Sequence, residues 1–479
     1  MDPTARPNIV VFFTDQQRHD TTGVHGCPLD LTPNFDRLSR AGTDVHFAFT
    51  PNPVCGPARA CIQTGTYSST NGTVRNGIPL TQELPHLGER LRDSGYHTAY
   101  FGKWHLVGHD QEGPVAEADR GGYEHWLGSN LLEMTSDHYH TRLWDNDEQP
   151  VELPGYRVDA LTDALIRHLD RRVSDHAEQP FMAMASFLEP HHQNHVDDYP
   201  APDGYRERYA GRWIPPDLAA LPSQKKAGLF DPAPSETLNG TAHQHLGGYF
   251  GMVKRLDEAL GRVADALKSL GVFENTVILF MSDHGCHFKT RNGEYKRSGH
   301  EASIRIPMML HGGPFTGGGR LSQMVSLVDV APTLLDVAGA AVPEQMQGRS
   351  VLPLVQRDAA AIRAWPDDAY VQVAEMCWGR AVRTKRWKYI VRADAEDFDT
   401  DNPGVFTEYR EAELYDLKHD PHELTNLIAE ASHTPVRRVM RGRLERWLDE
   451  LNEPAATIVE PTELRPVVQR RVTEAETRT

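Results

Sequence analysis

Cysteine is scarce in this chain. There are five in 479 residues, at positions 27, 55, 61, 286 and 377. So odd and sparse a set does not read as a disulfide framework, and without a Cys-x-x-Cys pair it gives no basis for a thiolate zinc site. Long apolar runs are also missing. None approaches the ~18 residues of a membrane span, so no membrane partner is expected. The N-terminus enters an apolar segment without a basic region, a long apolar stretch or a small-residue cleavage site, which leads to the expectation of a cytoplasmic protein. Basic excess is lacking too. With 50 Lys and Arg against 67 Asp and Glu, the formal charge is −17, which argues against a nucleic-acid partner. It does not argue against a small anionic substrate, because charge inside a cleft can oppose the net charge.

What is present reads as a folded enzyme. Hydrophobic residues make up 39% and charged residues 24%, outside the disordered range. Four short apolar runs read as buried strands: Asn8 to Phe13, His97 to Phe101, Phe181 to Phe187 and Thr276 to Met281. A fifth is expected from Ile306 to Leu310. Helical spacing covers 32–41, 157–172 and 246–270. Each of the first four runs is followed by chemically capable residues: Asp15; Lys103 and His105; His191; Asp283 and His284. Ligands of open α/β sheets bind outside the carboxyl ends of the strands, so these residues should converge. Alternation along an extended strand would put Lys103 and His105 on one face.

Composition shifts near 355–368. The expected organisation is an α/β domain over 1–360, with a large, mostly parallel sheet flanked by helices. A small α+β unit over 361–479 would follow, with an antiparallel sheet, a helix and a polar tail. Strands are expected at 370–373, 379–383 and 387–391, then a turn and helix over 413–427. The stretch 192–245 reads as a long excursion near the site.

Cys55 alone is most simply a small buried hydrophobe. Its context is Cys55-Gly56-Pro57-Ala58-Arg59, continuing Ala60-Cys61-Ile62-Gln63-Thr64-Gly65. This resembles the C-x-P-x-R signature of the formylglycine-dependent sulfatases of the alkaline phosphatase superfamily, and further ordered matches extend from residue 8 to about 427. They include Gly102-Lys103-Trp104-His105, Pro190-His191, Asp283-His284-Gly285 and Lys296 before His300 to Pro307.

The resemblance implies an alkaline phosphatase-like fold and hydrolysis of a sulfate monoester, from a sugar or another small organic alcohol. It implies that a maturation enzyme oxidises Cys55 to formylglycine. One hydroxyl of the hydrated aldehyde would attack sulfur and the other would allow release of sulfate. Asp15, residue 55, Asp283 and His284 would hold one divalent metal ion. Oxygen-rich ligation suits Ca²⁺ first, with Mn²⁺ or Mg²⁺ as alternatives, and Gln16 stands where many relatives carry a second aspartate. Lys103 would hold the gem-diol and a sulfate oxygen, Lys296 matches the family's catalytic lysine, Arg59 would orient residue 55, His105 would drive elimination, and His191 would protonate the leaving oxygen. His192, Asn194, Trp378 and Arg380 are candidates for the leaving-group pocket. An oligomer is compatible with the sequence. Two other readings are a phosphonate monoester or phosphodiester hydrolase of the same superfamily and a non-catalytic metal-containing binding protein.

Overall fold

The computed structural model describes residues 6–226, 232–234, 240–317, 319–394, 397–461 and 476. Its centre is an eleven-stranded mixed sheet. Four of its strands lie side by side and parallel, in the order Thr276–Ser282, Asn8–Thr14, Phe181–Ser186, His97–Lys103. His125–Ser129 continues the parallel run, and Thr141–Trp144 and Pro150–Leu153 extend that edge antiparallel.

Every residue of Asn8–Thr14 is buried, and side-chain alternation sends it to both faces. Ile9, Val11 and Phe13 enter one core with Ala58 and Ile62 of the helix Cys55–Thr64. Val10 and Phe12 enter the other with Phe35 and Leu38 of the helix Pro33–Ala41, and with the helices Arg157–Asp175 and Gly240–Ser269. At roughly 1.5–3 kcal/mol for each fully buried large apolar side chain, this two-sided burial explains why the run is uninterrupted by polar residues. Val158, Leu161, Leu165 and Leu169 form the buried stripe of Arg157–Asp175.

The expected strand from Ile306 to Leu310 is two pieces, Arg305–Ile306 and Met308–His311, both antiparallel to Thr43–Phe49. Pro307 separates them, having no N–H to give to the ladder. Arg320–Ser326 lies parallel to Thr43–Phe49 on its other side. Sequence reading passed over both of these strands, because His46, Arg320 and Gln323 interrupt their apolar patterns.

A second sheet runs in the order Asp368–Val373, Gly379–Thr384, Trp387–Arg392, Glu408–Asp416, Thr457–Val459. It is antiparallel except for the last pair. The expected turn and helix over 413–427 is corrected. Glu413 to Asp416 finish a strand against Trp387 to Ile390, turns follow, and the helix is Thr434–Glu450. The acidic residues that disguise this strand are neutralised from other elements: Glu413 pairs with His300 and Arg392, and Glu411 with Arg437. Apolar packing crosses between the two sheets, with Phe49, Ile304 and Met324 against Val371, Ala381 and Ile390.

The excursion after His191 is partly structured. It carries the short helices Tyr205–Tyr209 and Pro216–Ala220 and a small ladder of Gln224–Lys226 with Pro232–Pro234. Residues 227–231 and 235–239 lie outside the described residues. Tyr199, Tyr209 and Leu218 of this stretch pack on Tyr249 and Phe250 of the long helix.

Candidate active site

Four adjacent parallel strands end level with one another, since Thr14 pairs with Ser282, Phe13 with Ser186, and Ser186 with Gly102. The segments beyond these ends are tied together by backbone bonds: the Asp15 N–H donates to Glu189 O at 3.2 Å, and the Asp283 N–H to Thr14 O at 3.2 Å. Gly102 is obligatory here. Its φ is +94°, and a Cβ would lie 2.1 Å from Ser186 O, so no side chain fits where this strand turns Lys103 inward.

Cys55 is the first residue of the helix Cys55–Thr64, so its side chain sits at the positive end of that helix. Its Sγ is 2.7 Å from Lys296 Nζ, 3.4 Å from His284 Nε2, 3.6 Å from Asp15 Oδ1 and 3.8 Å from Lys103 Nζ. Burial pushes the thiol pKa up, but Lys103, Lys296 and His284 outweigh it and hold the group well below the usual thiol range. Residue 55 is thus built to carry negative charge.

Lys103 is fully buried between two carboxylates, Asp15 Oδ2 at 2.8 Å and Glu133 Oε1 at 3.0 Å. Glu133 was not legible in the sequence, where it lies in a connection without a motif. Burial would raise its pKa, yet Lys103, His105 and His191 bring it down to about 2. Lys103 and His105 meet at Glu133, but not through strand alternation. The strand stops at Lys103, and His105 has φ +61°. That left-handed residue instead turns the ring to within 3.6 Å of Glu133 and toward Cys55.

Arg59 lies one helical turn after Cys55. It donates to Lys103 O at 2.9 Å, Ser186 Oγ at 2.8 Å and Asp15 Oδ2 at 3.0 Å, and it stacks on Phe13. Its guanidinium therefore braces three strand ends. His191 Nδ1 is 2.6 Å from His192 O and its Nε2 is 3.1 Å from Lys296 Nζ. Burial and Lys296 lower its pKa.

Asp15, Cys55, Asp283 and His284 place one ligand atom each within 4.8 Å of one another. Their chemistry fits a cation. Two carboxylates are buried together; burial and Asp15 raise the Asp283 pKa to about 6, whereas Lys103, His191 and Lys296 hold Asp15 low against burial and the Cys55 sulfur. Such a pair favours an added positive charge. The neighbouring Gln16 carries a buried Oε1 with no hydrogen-bond partner among the described residues, while its side-chain Nε2 donates to Tyr199 Oη at 3.1 Å. An unsatisfied buried acceptor beside this cluster fits a cation as well.

The four leaving-group candidates separate. His192 stacks on His191 and lies against Tyr295. Asn194 is exposed. Trp378 lines a cleft with Arg75, Asn76, Arg297 and Glu375. Arg380 is a correction: it is buried, and its guanidinium is used within the small unit by Glu453, Gly379 O and Gly404 O. Buried between that carboxylate and those carbonyls, its charge is already matched by Glu453 at 2.7 Å.

The family profile described as Sulfatase matches residues 7–340. The profile described as N-sulphoglucosamine sulphohydrolase, C-terminal, matches residues 293–450. The ulvan-active sulfatase of Formosa agariphila is 28% identical, over 94% of this chain and 83% of its own length. The N-acetylglucosamine-6-O-sulfatase of Bacteroides thetaiotaomicron is 27% identical, over 93% of this chain and 86% of its own. A solved structure in complex with its substrate, D-glucosamine-2-N,6-O-disulfate, shares the fold with a TM-score of 0.77 at 24% identity. That match covers 94% of this chain and 98% of the other.

Proposed function

The chain belongs to the sulfatase family, and from that premise we propose that it hydrolyses the sulfate monoester of a sugar or other small organic alcohol. Formylglycine made from Cys55 would be the nucleophile, and one divalent metal ion would sit beside it. The observation that carries the reading is the ring of groups around residue 55: Lys296, Lys103, His284 and Asp15 all lie within 3.8 Å of Sγ. The thiol stands where the hydroxyl oxygens of a hydrated aldehyde would be, and that hydrate supplies one hydroxyl for attack and one for release. The sugar-acting relatives support a carbohydrate ester as substrate.

Asp15, Asp283, His284 and residue 55 would hold the ion, which when bound supplies Lewis-acid charge to oxygen atoms. Ca²⁺ is the first choice for the carboxylates, and the imidazole keeps Mn²⁺ and Mg²⁺ as alternatives. The remaining steps belong to side chains. Lys103 and Lys296 present two ammonium groups to sulfate oxygens, in a dry site where such charges act strongly. Arg59 holds Asp15 and the Lys103 carbonyl, so both ends of the cradle keep one geometry. His105, backed by Glu133, is placed to take a proton from residue 55. His191 Nε2, beside Lys296, is placed to give one to the leaving oxygen.

The test is the protein produced together with a formylglycine-generating enzyme. The tryptic peptide of residues 41–59 should carry the aldehyde in place of the thiol, and kcat/KM should be higher on sulfate monoesters than on phosphate diesters. Cys55→Ser should lower kcat by roughly 10³-fold or more. Only unmodified cysteine in active protein, or faster turnover of the diester, would overturn the reading.

A further inference from the structure

We propose that the cleft beside the helix carrying Cys55 binds a sugar ring bearing a second acidic group, a carboxylate or a further sulfate, with Arg75 as its counter-charge. This rests on the sulfate-ester reading above and names the substrate class of that site. The cleft has a volume of about 430 Å³, within the range that takes small ligands. It abuts the reacting position: Asn76, one of its walls, accepts the Gly56 N–H at 2.9 Å, and Gly56 follows Cys55.

Of the arginine and glutamate side chains that line the cleft, Arg297 and Glu375 pair with each other and Arg75 is left over. Glu375 accepts from the Asn76 N–H at 2.8 Å and pairs with Arg297 at 2.7 Å. Arg297 is further offset by Glu294 at 3.5 Å. Arg75 is half-buried and donates to Asn76 O at 3.3 Å, but it has no ion-pair partner among the described residues. In a chain with 17 more acidic than basic side chains, an unpaired arginine on a cleft wall is a place where an incoming anion gains charge-assisted hydrogen bonds.

The opposite kind of surface stands beside it. Trp378 and Phe398 line the same cleft with ring centroids 5.3 Å apart. Trp378 is 2% exposed, and its buried indole N–H has no partner among the described residues. The half-buried Phe398 is the aromatic surface that can take the apolar face of a ring. A neutral aryl or alkyl sulfate would use the aromatic wall and leave Arg75 unmatched. A doubly anionic sugar uses both.

The experiment takes the matured enzyme, with 4-nitrophenyl sulfate turnover as reporter, and measures competitive inhibition constants for two pairs. One pair is D-glucosamine 6-sulfate against D-glucosamine-2-N,6-O-disulfate. The other is D-glucose 2-sulfate against D-glucuronate 2-sulfate. The readout is the ratio within each pair, so altered absolute activity does not enter. The wild type should bind the second-anion member at least about tenfold tighter in one pair or both. Which pair responds identifies sulfate or carboxylate. Arg75→Gln should narrow that ratio to less than about threefold, and Arg75→Lys should retain part of it. No preference in either pair, or a preference that survives Arg75→Gln, overturns the proposal while the sulfate-ester reading stands. If protein with oxidised residue 55 turns over no sulfate ester, the sulfate-ester reading itself fails.

Discussion

Replacing His191 by alanine tests the acid half of the chemistry. The His191 ring is 4% exposed. Its Nδ1 sits 2.6 Å from the His192 carbonyl, so the neutral ring keeps its proton there and turns Nε2 toward Lys296 Nζ at 3.1 Å. Nε2 is then the atom through which a proton reaches the leaving oxygen. General acid catalysis contributes about 10²–10⁴-fold, or about 3–5 kcal/mol of barrier at 1.36 kcal/mol per tenfold. A sugar alkoxide needs that proton and a nitrophenolate does not. His191→Ala should therefore lower kcat/KM by about 10²–10⁴-fold on a sugar sulfate and by less than about tenfold on 4-nitrophenyl sulfate. The pH profile gives an independent check. Burial and Lys296 lower the His191 pKa, so the protonated acid is lost as pH rises through a value below the ordinary 6.5. Wild-type turnover of the sugar ester should fall over that window relative to the nitrophenyl ester, and the variant should show no such difference. Equal losses on the two esters would refute the role, as would a sugar-sulfate loss under about tenfold. Circular dichroism and thermal melting of the variant separate this from unfolding.

The metal site carries a pH signature. Burial and Asp15 raise the Asp283 pKa to about 6, so the metal-free folded state binds more protons than the unfolded state between about 4 and 6, and its stability should fall as pH rises through that window. Metal displaces the proton, so added Ca²⁺ or Mn²⁺ should raise Tm more at pH 8 than at pH 5; a pH-independent increment in differential scanning fluorimetry would contradict this. Lys388 is fully buried, with Glu301 at 2.8 Å and Glu423 at 2.6 Å. Lys388→Met leaves Glu301 with Arg383 but Glu423 without a cation among the described residues. It should cost about 3–5 kcal/mol in urea unfolding, and a loss under about 1 kcal/mol would show that the carboxylates are relieved by water.

The sequence by itself determined the sheet's central strands and the order of its reactive segments. Short apolar runs such as Asn8 to Phe13 are local signals, because a strand buried on both faces tolerates no polar residue. The Cys55 to Arg59 motif is local too, since it spans a single helical turn. Only the tertiary structure decided the contacts. Lys296 and Cys55 are 241 positions apart yet 2.7 Å from each other, and nothing near Glu133 in the chain announces that it would hold Lys103 and His105. Charge hid two features in opposite ways. The acidic strand Glu408–Asp416 looked unfit for a sheet until cations from other elements neutralised it, and Arg380 looked free for a ligand until Glu453, 73 positions away, claimed it. Backbone periodicity is written in neighbouring residues, whereas the partner of a buried charge is chosen by the fold.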